Sequence, residues 1–225
     1  TQGRYTGVPE YQLNLDISLA LQKELENRGY RVVMARTDND TAISNSERAL
    51  KAYEEGGEIY VRIHANGSDD SSVNGALGMT PSYENPYVAN LAEESYRLTE
   101  CILNTYCNET GFNNLGIQYH DDMTGINWSK IPVMILEMGF MTNEHDDTAM
   151  QDTDMQAKIG CPYLSDLPYY KRAVWFEMKR LCLSDYPKKQ LEDFSRYVFG
   201  VPYAVIQEAL QRKDVMKHGR NASAD

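Results

Sequence analysis

The chain has 225 residues, a formal net charge of −11 and 42 % hydrophobic residues, enough to bury one large core or two modest ones. No apolar stretch approaches the ~20 residues that a membrane helix needs, and no charged-then-apolar leader opens the chain. Four cysteines without CxxC spacing argue against a zinc ribbon or a redox pair.

Charge divides the chain into two parts. Residues 1–158 contain 11 Lys+Arg and 25 Asp+Glu, a balance of −14, whereas residues 159–225 have a balance of +3. We therefore predict an acidic main domain over 1–158 and a separate segment over 159–225. Because phosphate binding needs a basic surface, nucleic acid is disfavoured as a partner of the main domain.

The first half of the chain alternates helices and strands. Apolar residues at three- and four-residue spacing predict a helix over 12–28, and 30–34 has the length and β-branched content of a strand. Ser44 and Glu47 match a capping box, which predicts a second helix from Ser44 to about Glu55. Residues 58–63 follow as a strand that delivers His64.

The second half adds further strands and a long helix. Residues 76–80 predict a strand, Asn85-Pro86 opens a helix closed by Gly111, and 115–117 form a possible strand before His120. The continuous apolar run 132–136 suits a strand buried on both faces, and it ends on Glu137. The fold class that follows is α/β: a mostly parallel twisted sheet flanked by helices in three layers.

Two strands thus end on ionisable residues, and a loop acid precedes the first helix. His64 and Glu137 should lie at the carboxyl edge of one sheet, where open α/β sheets place their sites, and Glu10 could reach the same edge. A catalytic zinc takes about three ligands from His, Glu, Asp or Cys, with a carboxylate nearby as proton carrier. Taken singly, His64 would be a hydrogen-bonded strand-end histidine and Glu10 a helix-start carboxylate.

Four stretches together resemble the zinc-dependent N-acetylmuramoyl-L-alanine amidases of the Amidase_3 type. They are PEYQLNLDISLALQKELENRGYRVVMART, ISNSERA, IYVRIHANGSDD and IPVMILEMGFMTN, in the family's order over most of 7–150. The resemblance implies that Glu10 and His64 bind Zn²⁺ and that Glu137 is catalytic. It also implies hydrolysis of the bond between N-acetylmuramic acid and L-alanine in peptidoglycan, outside the cell or at the cell wall.

One family feature is missing from the opening residues. The family's first zinc ligand is the His of a D-x-G-H motif, which residues 1–9 do not supply, and we expect the strand that bears it to lie upstream of Thr1. His120, His145 and His218 match no family ligand, although His120 is the least implausible substitute. Asn66 is either an orienting residue or a turn former. The alternative function is therefore a peptidoglycan-binding protein, or an inactive fragment, with an incomplete metal site.

The resemblance stops beyond Lys158. Pro168, Pro187 and Pro202 mark three predicted helix starts, so 159–225 is expected to be a small all-helical segment. It is either a structural appendage, which we prefer, or a module whose lysines and arginines meet an anionic polymer. Oligomeric state and stem-peptide preference are left open.

Overall fold

The computed structural model describes residues 1–27 and 30–152. The helices and strands of this part occur in the following order: α1 Glu10–Asn27, α2 Asn45–Glu54, β1 Tyr60–Asn66, β2 Ala76–Thr80, α3 Ala92–Thr110, β3 Asn114–Tyr119, α4 Thr124–Asn127, β4 Val133–Phe140 and α5 Glu144–Ala149. The predicted boundary at 158/159 and the three C-terminal helices lie outside the described residues.

One four-stranded sheet organises the described part of the chain, with the strand order β1-β4-β2-β3. The β1–β4 and β2–β3 pairs are parallel, and β2 runs antiparallel to β4. A mixed α/β fold with a mostly parallel sheet, as predicted from the sequence, is confirmed.

Helices cover both faces of this sheet. On one face, Val133 and Ile135 of β4 belong to an apolar cluster with Ala49 of α2 and Ile126 of α4. On the other face α3 packs so closely on β2 that a Cβ at Gly78 would stand 2.3 Å from Cγ2 of Thr99. The alternation of side chains along each strand sends successive residues into these two layers.

The capping box predicted at the start of α2 is present. The backbone N–H of Glu47 donates to Oγ of Ser44 at 3.2 Å, and the N–H of Ser44 donates back to Oε2 of Glu47 at 2.7 Å. Two N–H groups that the helix cannot satisfy internally are thereby paired. At the far end of α3, Gly111 adopts a left-handed conformation with φ of 80°, as its predicted role as a helix stop requires.

The strand predicted over 30–34 is wrong. These residues have no strand assignment, and the outer side of β1 has no partner within the described sheet. A β-strand is defined by ladder hydrogen bonds to a neighbour, and β-branched content alone cannot supply them. The segment therefore passes as irregular chain from α1 towards α2.

Several element ends differ from the prediction. The first helix begins at Glu10 rather than Gln12, because the carbonyl of Pro9 already accepts the N–H of Leu13 at 3.1 Å. The long helix predicted from Asn85 starts only at Ala92. Oδ1 of Asn85 accepts the N–H groups of Tyr87 and Val88 as a helix cap would, but a turn and a 3₁₀ helix at Ala89–Leu91 intervene before α3. The acidic stretch 143–147 reads as a turn in the sequence, but α5 begins within it, at Glu144, and continues to Ala149.

Candidate active site

The three predicted site residues lie on three different elements of the fold. Glu10 is the first residue of α1, rather than part of the loop before it. His64 and Glu137 lie inside β1 and β4, not beyond their ends, because both strands continue to Asn66 and Phe140. The two strands are paired in register with His64 opposite Glu137.

The pairing of the strands explains why these two side chains are neighbours. Residues directly opposite in neighbouring strands point to the same face, with strands ~4.8 Å apart. The sequence brings His64 and Glu137 together because each ends an apolar run that pairs along its length, from Tyr60 with Val133 onward. Glu10 joins them from α1, which packs against β1.

Glu10 and His64 are in direct contact. Oε1 of Glu10 lies 3.2 Å from Nδ1 of His64, and the two side chains are 20 % and 35 % exposed respectively. Nδ2 of Asn14, one turn further along α1, donates to the same Oε1 at 3.3 Å. Burial alone would raise the pKa of Glu10, but hydrogen bonds from His64, Asn14 and the N–H of Ala65, with the charge of His64, lower it to about 2. Glu10 is therefore a carboxylate at neutral pH.

Glu137 has the opposite electrostatic character. Burial raises the pKa of Glu137 to about 7; the charge of Glu10 adds to this, while His64 and Arg62 act against it. Its Oε2 is buried and has no hydrogen-bond partner within the described residues. Two carboxyl groups whose pKa values are pushed apart in one cluster are typical of acid–base sites.

The Glu10–His64 pair fits two ligands of one zinc ion. Zinc binds imidazole nitrogen and carboxylate oxygen at ~2.0–2.2 Å, so two ligand atoms on a tetrahedral ion stand roughly 3.3 Å apart. The observed 3.2 Å between Oε1 and Nδ1 agrees with that spacing. Within residues 1–27 and 30–152, however, no group of three His, Cys, Asp or Glu side chains is placed to hold a metal ion.

The other histidines do not complete the set. The ring of His120 lies against Gln118 and 3.7 Å from Oδ1 of Asp122, on the turn that follows β3. Nδ1 of His145 lies 3.2 Å from Oδ1 of Asp146, on α5. Neither histidine joins Glu10 and His64, and His218 lies outside the described residues.

Two positions near the site have roles that the sequence left open or did not indicate. Oδ1 of Asn66 accepts the N–H of the next residue, Gly67, at 2.8 Å, and Asn66 itself is the last residue of β1, so both of its predicted roles stay open. The contact of Asn14 with Glu10 was not predicted, although spacing of four residues on a helix would have suggested it.

Comparison with known proteins identifies the family. Residues 1–164 match the Amidase_3 model, described as N-acetylmuramoyl-L-alanine amidase. The chain is 32 % identical over 154 residues to the N-acetylmuramoyl-L-alanine amidase LytC of Bacillus subtilis, covering 68 % of this chain and 29 % of LytC. It is 27 % identical over 143 residues to the probable cell wall amidase LytH of Staphylococcus aureus, covering 64 % of this chain and 43 % of LytH. The chain thus spans less than half of each of these two relatives.

Solved structures show the same fold. The N-acetylmuramoyl-L-alanine amidase from Clostridium difficile 630 superposes with a TM-score of 0.68 at 22 % identity, over 76 % of this chain and 89 % of that one. The catalytic domain of CwlV from Bacillus (Paenibacillus) polymyxa gives a TM-score of 0.63 at 23 % identity, over 73 % and 86 %. With the family model matched over most of its length, this chain belongs to the Amidase_3 family of N-acetylmuramoyl-L-alanine amidases.

Proposed function

We propose that this chain hydrolyses the amide bond between N-acetylmuramic acid and L-alanine in peptidoglycan, with Zn²⁺ held in part by Glu10 and His64 and with Glu137 as general base. Its relatives are described as amidases, one of them of the cell wall, which supports action at the cell wall or outside the cell. No helix of the described residues is long and apolar enough to cross a membrane.

The state of Glu137 is the observation that carries this proposal. Its Oε2 has a free lone pair in a buried position, and a pKa of about 7 suits a group that accepts and returns a proton near neutral pH. Glu10, by contrast, keeps its charge at neutral pH, as a metal ligand must, and it lies beside His64, the second proposed ligand.

Each residue then has a defined task. Bound zinc would supply a Lewis acid that polarises the amide carbonyl and lowers the pKa of the attacking water. Oε2 of Glu137 takes one proton from that water while the water oxygen forms the bond to the carbonyl carbon. Glu137 then gives the proton to the alanine nitrogen as the carbon–nitrogen bond breaks, which regenerates the carboxylate.

Glu137→Gln in the full chain tests this assignment. We expect release of free L-alanine amino groups from purified peptidoglycan to fall ~10²–10⁴-fold, the range for loss of a general acid–base group. Zinc content, measured by mass spectrometry, should stay at the wild-type level. Glu144→Gln, an exposed substitution on α5, is the matched control and should leave hydrolysis unchanged. Full hydrolysis by Glu137→Gln would refute the role of Glu137.

A second candidate function is retention of peptidoglycan without cleavage. It is favoured by the finding that the described residues contain no three-ligand metal group. A wild-type chain that sediments with peptidoglycan, binds no zinc and releases no alanine amino groups would establish this function and reject hydrolysis.

A further inference from the structure

The buried carboxylate of Asp147 fastens the N-terminal loop, residues 1–9, to α5, while one backbone bond, from the N–H of Arg4 to the carbonyl of Met141 at 2.9 Å, joins the loop to the residue after β4. Oδ2 of Asp147 accepts the backbone N–H groups of Tyr5 and Thr6 at 2.8 and 2.9 Å, and Oδ1 accepts the hydroxyl of Thr6 at 2.8 Å. Asp147 has no exposed surface. The loop approaches so closely that a Cβ at Gly3 would stand 2.3 Å from Oδ1 of Asp147.

The fastened loop is a compact unit that ends at Glu10. The N–H of Gly3 donates to the carbonyl of Val8 at 2.9 Å, and the N–H of Gly7 donates to the carbonyl of Gly3 at 3.0 Å. The N–H of Glu10 itself donates to the carbonyl of Thr1 at 3.1 Å. Because these bonds tie both ends of the loop together, displacing its middle would displace the start of α1 and the Glu10 carboxylate.

The helix that holds the loop is itself fixed to the sheet. Asp146, beside Asp147, is 1 % exposed, and its Oδ2 accepts the N–H groups of Gly75 at 2.7 Å and Phe140 at 3.0 Å. Phe140 ends β4, the strand that carries Glu137. The two adjacent aspartates therefore join the Glu10 loop to the Glu137 strand through α5, and each satisfies a different set of backbone donors.

We propose that Asp147 is a positioning residue, which sets where the Glu10 carboxylate stands relative to His64 and so sets the affinity of the site for a divalent cation. This inference rests on the proposed function. Groups that orient a metal ligand typically change metal affinity or activity by 10–100-fold when removed. Asp147 contacts neither Glu10 nor His64 in any hydrogen bond of the described residues, and it acts through the loop.

The test compares Asp147→Ala with Asp146→Ala in the full chain. Both variants remove a buried carboxylate from the same helix and leave two backbone N–H groups without that acceptor, so both should lower the free energy of unfolding. Zinc affinity is measured by competition with a chelating dye, under conditions in which circular dichroism shows that each variant is fully folded. It should fall ~10–100-fold in Asp147→Ala. Asp146→Ala loosens α5 on the sheet but keeps the bonds of Asp147 to Tyr5 and Thr6, so its zinc affinity should fall by a clearly smaller factor, about threefold at most.

A conservative variant separates hydrogen bonding from charge. In Asp147→Asn the side-chain oxygen can still accept the N–H groups of Tyr5 and Thr6, and its amide can donate to Oγ1 of Thr6. Zinc affinity should therefore recover to within about threefold of wild type. If Asp147→Ala does not fold, Thr6→Val removes the hydroxyl bond to Asp147, together with the 3.3 Å acceptor of the Val8 N–H, and keeps the two backbone bonds to Asp147. It should weaken zinc binding by a smaller factor.

Hydrogen exchange gives a reading that needs no metal. Amides of residues 3–10 should lose protection in Asp147→Ala while those of α3 keep it. A wild-type chain that binds no zinc would reject the proposed function, and hydrogen exchange would then still decide whether Asp147 holds the loop. Unchanged zinc affinity in a folded Asp147→Ala chain, whatever its protection, or an equal loss of affinity in Asp146→Ala, would overturn the inference.

Discussion

Replacing Glu137 by glutamine is expected to stabilise the metal-free protein at pH 8. Burial raises the pKa of Glu137 to about 7 from the ordinary value of 4.5. The folded chain therefore holds this proton more tightly than the unfolded chain does. The free-energy cost of burying the charged form is absent below pH 4.5, grows as pH rises, and is complete above about pH 7.

The size of the effect follows from that shift. The difference between 4.5 and about 7 corresponds to an upper limit of ~3 kcal/mol at pH 8. Glutamine removes the charge but still buries a polar group where Oε2 has no partner, so a gain of ~1–2 kcal/mol is more realistic. For a chain of this size that is a rise in Tm of about 4 °C.

The assay is urea unfolding followed by circular dichroism in EDTA, at pH 4.5 and pH 8. Glu137→Gln should be more stable than wild type at pH 8, and this gain should vanish at pH 4.5. Glu10→Gln is the matched control with the opposite sign. Because the pKa of Glu10 is lowered to about 2, the ionised Glu10 carboxylate stabilises the folded chain. This contribution is fully present above pH 4.5 and is lost as pH falls towards 2. A Glu137→Gln chain that is equally or less stable than wild type at pH 8 would refute the reasoning.

Two further predictions concern the rate and the second helix. Below the pKa of Glu137, kcat/KM should fall about tenfold for each pH unit. The midpoint of this fall should lie at or below about pH 7, because a bound cation favours the carboxylate form of Glu137. A profile of kcat/KM that stays flat down to about pH 5 would contradict this prediction. Ser44→Ala should remove the cap of α2 and lower Tm by roughly 2–4 °C in a thermal melt, the effect of ~1 kcal/mol, and an unchanged Tm would show that the cap contributes nothing.

Short-range patterns in the sequence predicted local structure well. The Ser44–Glu47 capping box, Gly111 as a helix stop and the apolar run into Glu137 depend on contacts within a few residues or on continuous burial. The same patterns predicted His64 and Glu137 at one edge of the sheet, whereas their pairing inside β1 and β4 is a register that the sequence did not specify.

Features that depend on distant partners could not be predicted. The strand expected over 30–34 would need a neighbour, which no local pattern specifies. Asn85 accepts the N–H groups of Tyr87 and Val88 as a helix start would, yet the α-helix begins only at Ala92, and no pattern near Asn85 specifies that delay. The acidic stretch 143–147 suggests a turn, whereas Asp146 and Asp147 lie on a helix and are buried because backbone N–H groups from remote segments donate to them.

The strand order has a consequence for how the chain reaches its native state. β4 is the last of the four described strands in sequence, yet it lies between β1 and β2. Among these strands, β1 therefore has no ladder partner during synthesis until residues 133–140 have emerged from the ribosome. Pairing over so long a stretch of chain closes large loops and slows the rate of folding. Nascent chains that end before β4 should expose the unpaired edge of β1, which chaperones or other nascent chains can bind.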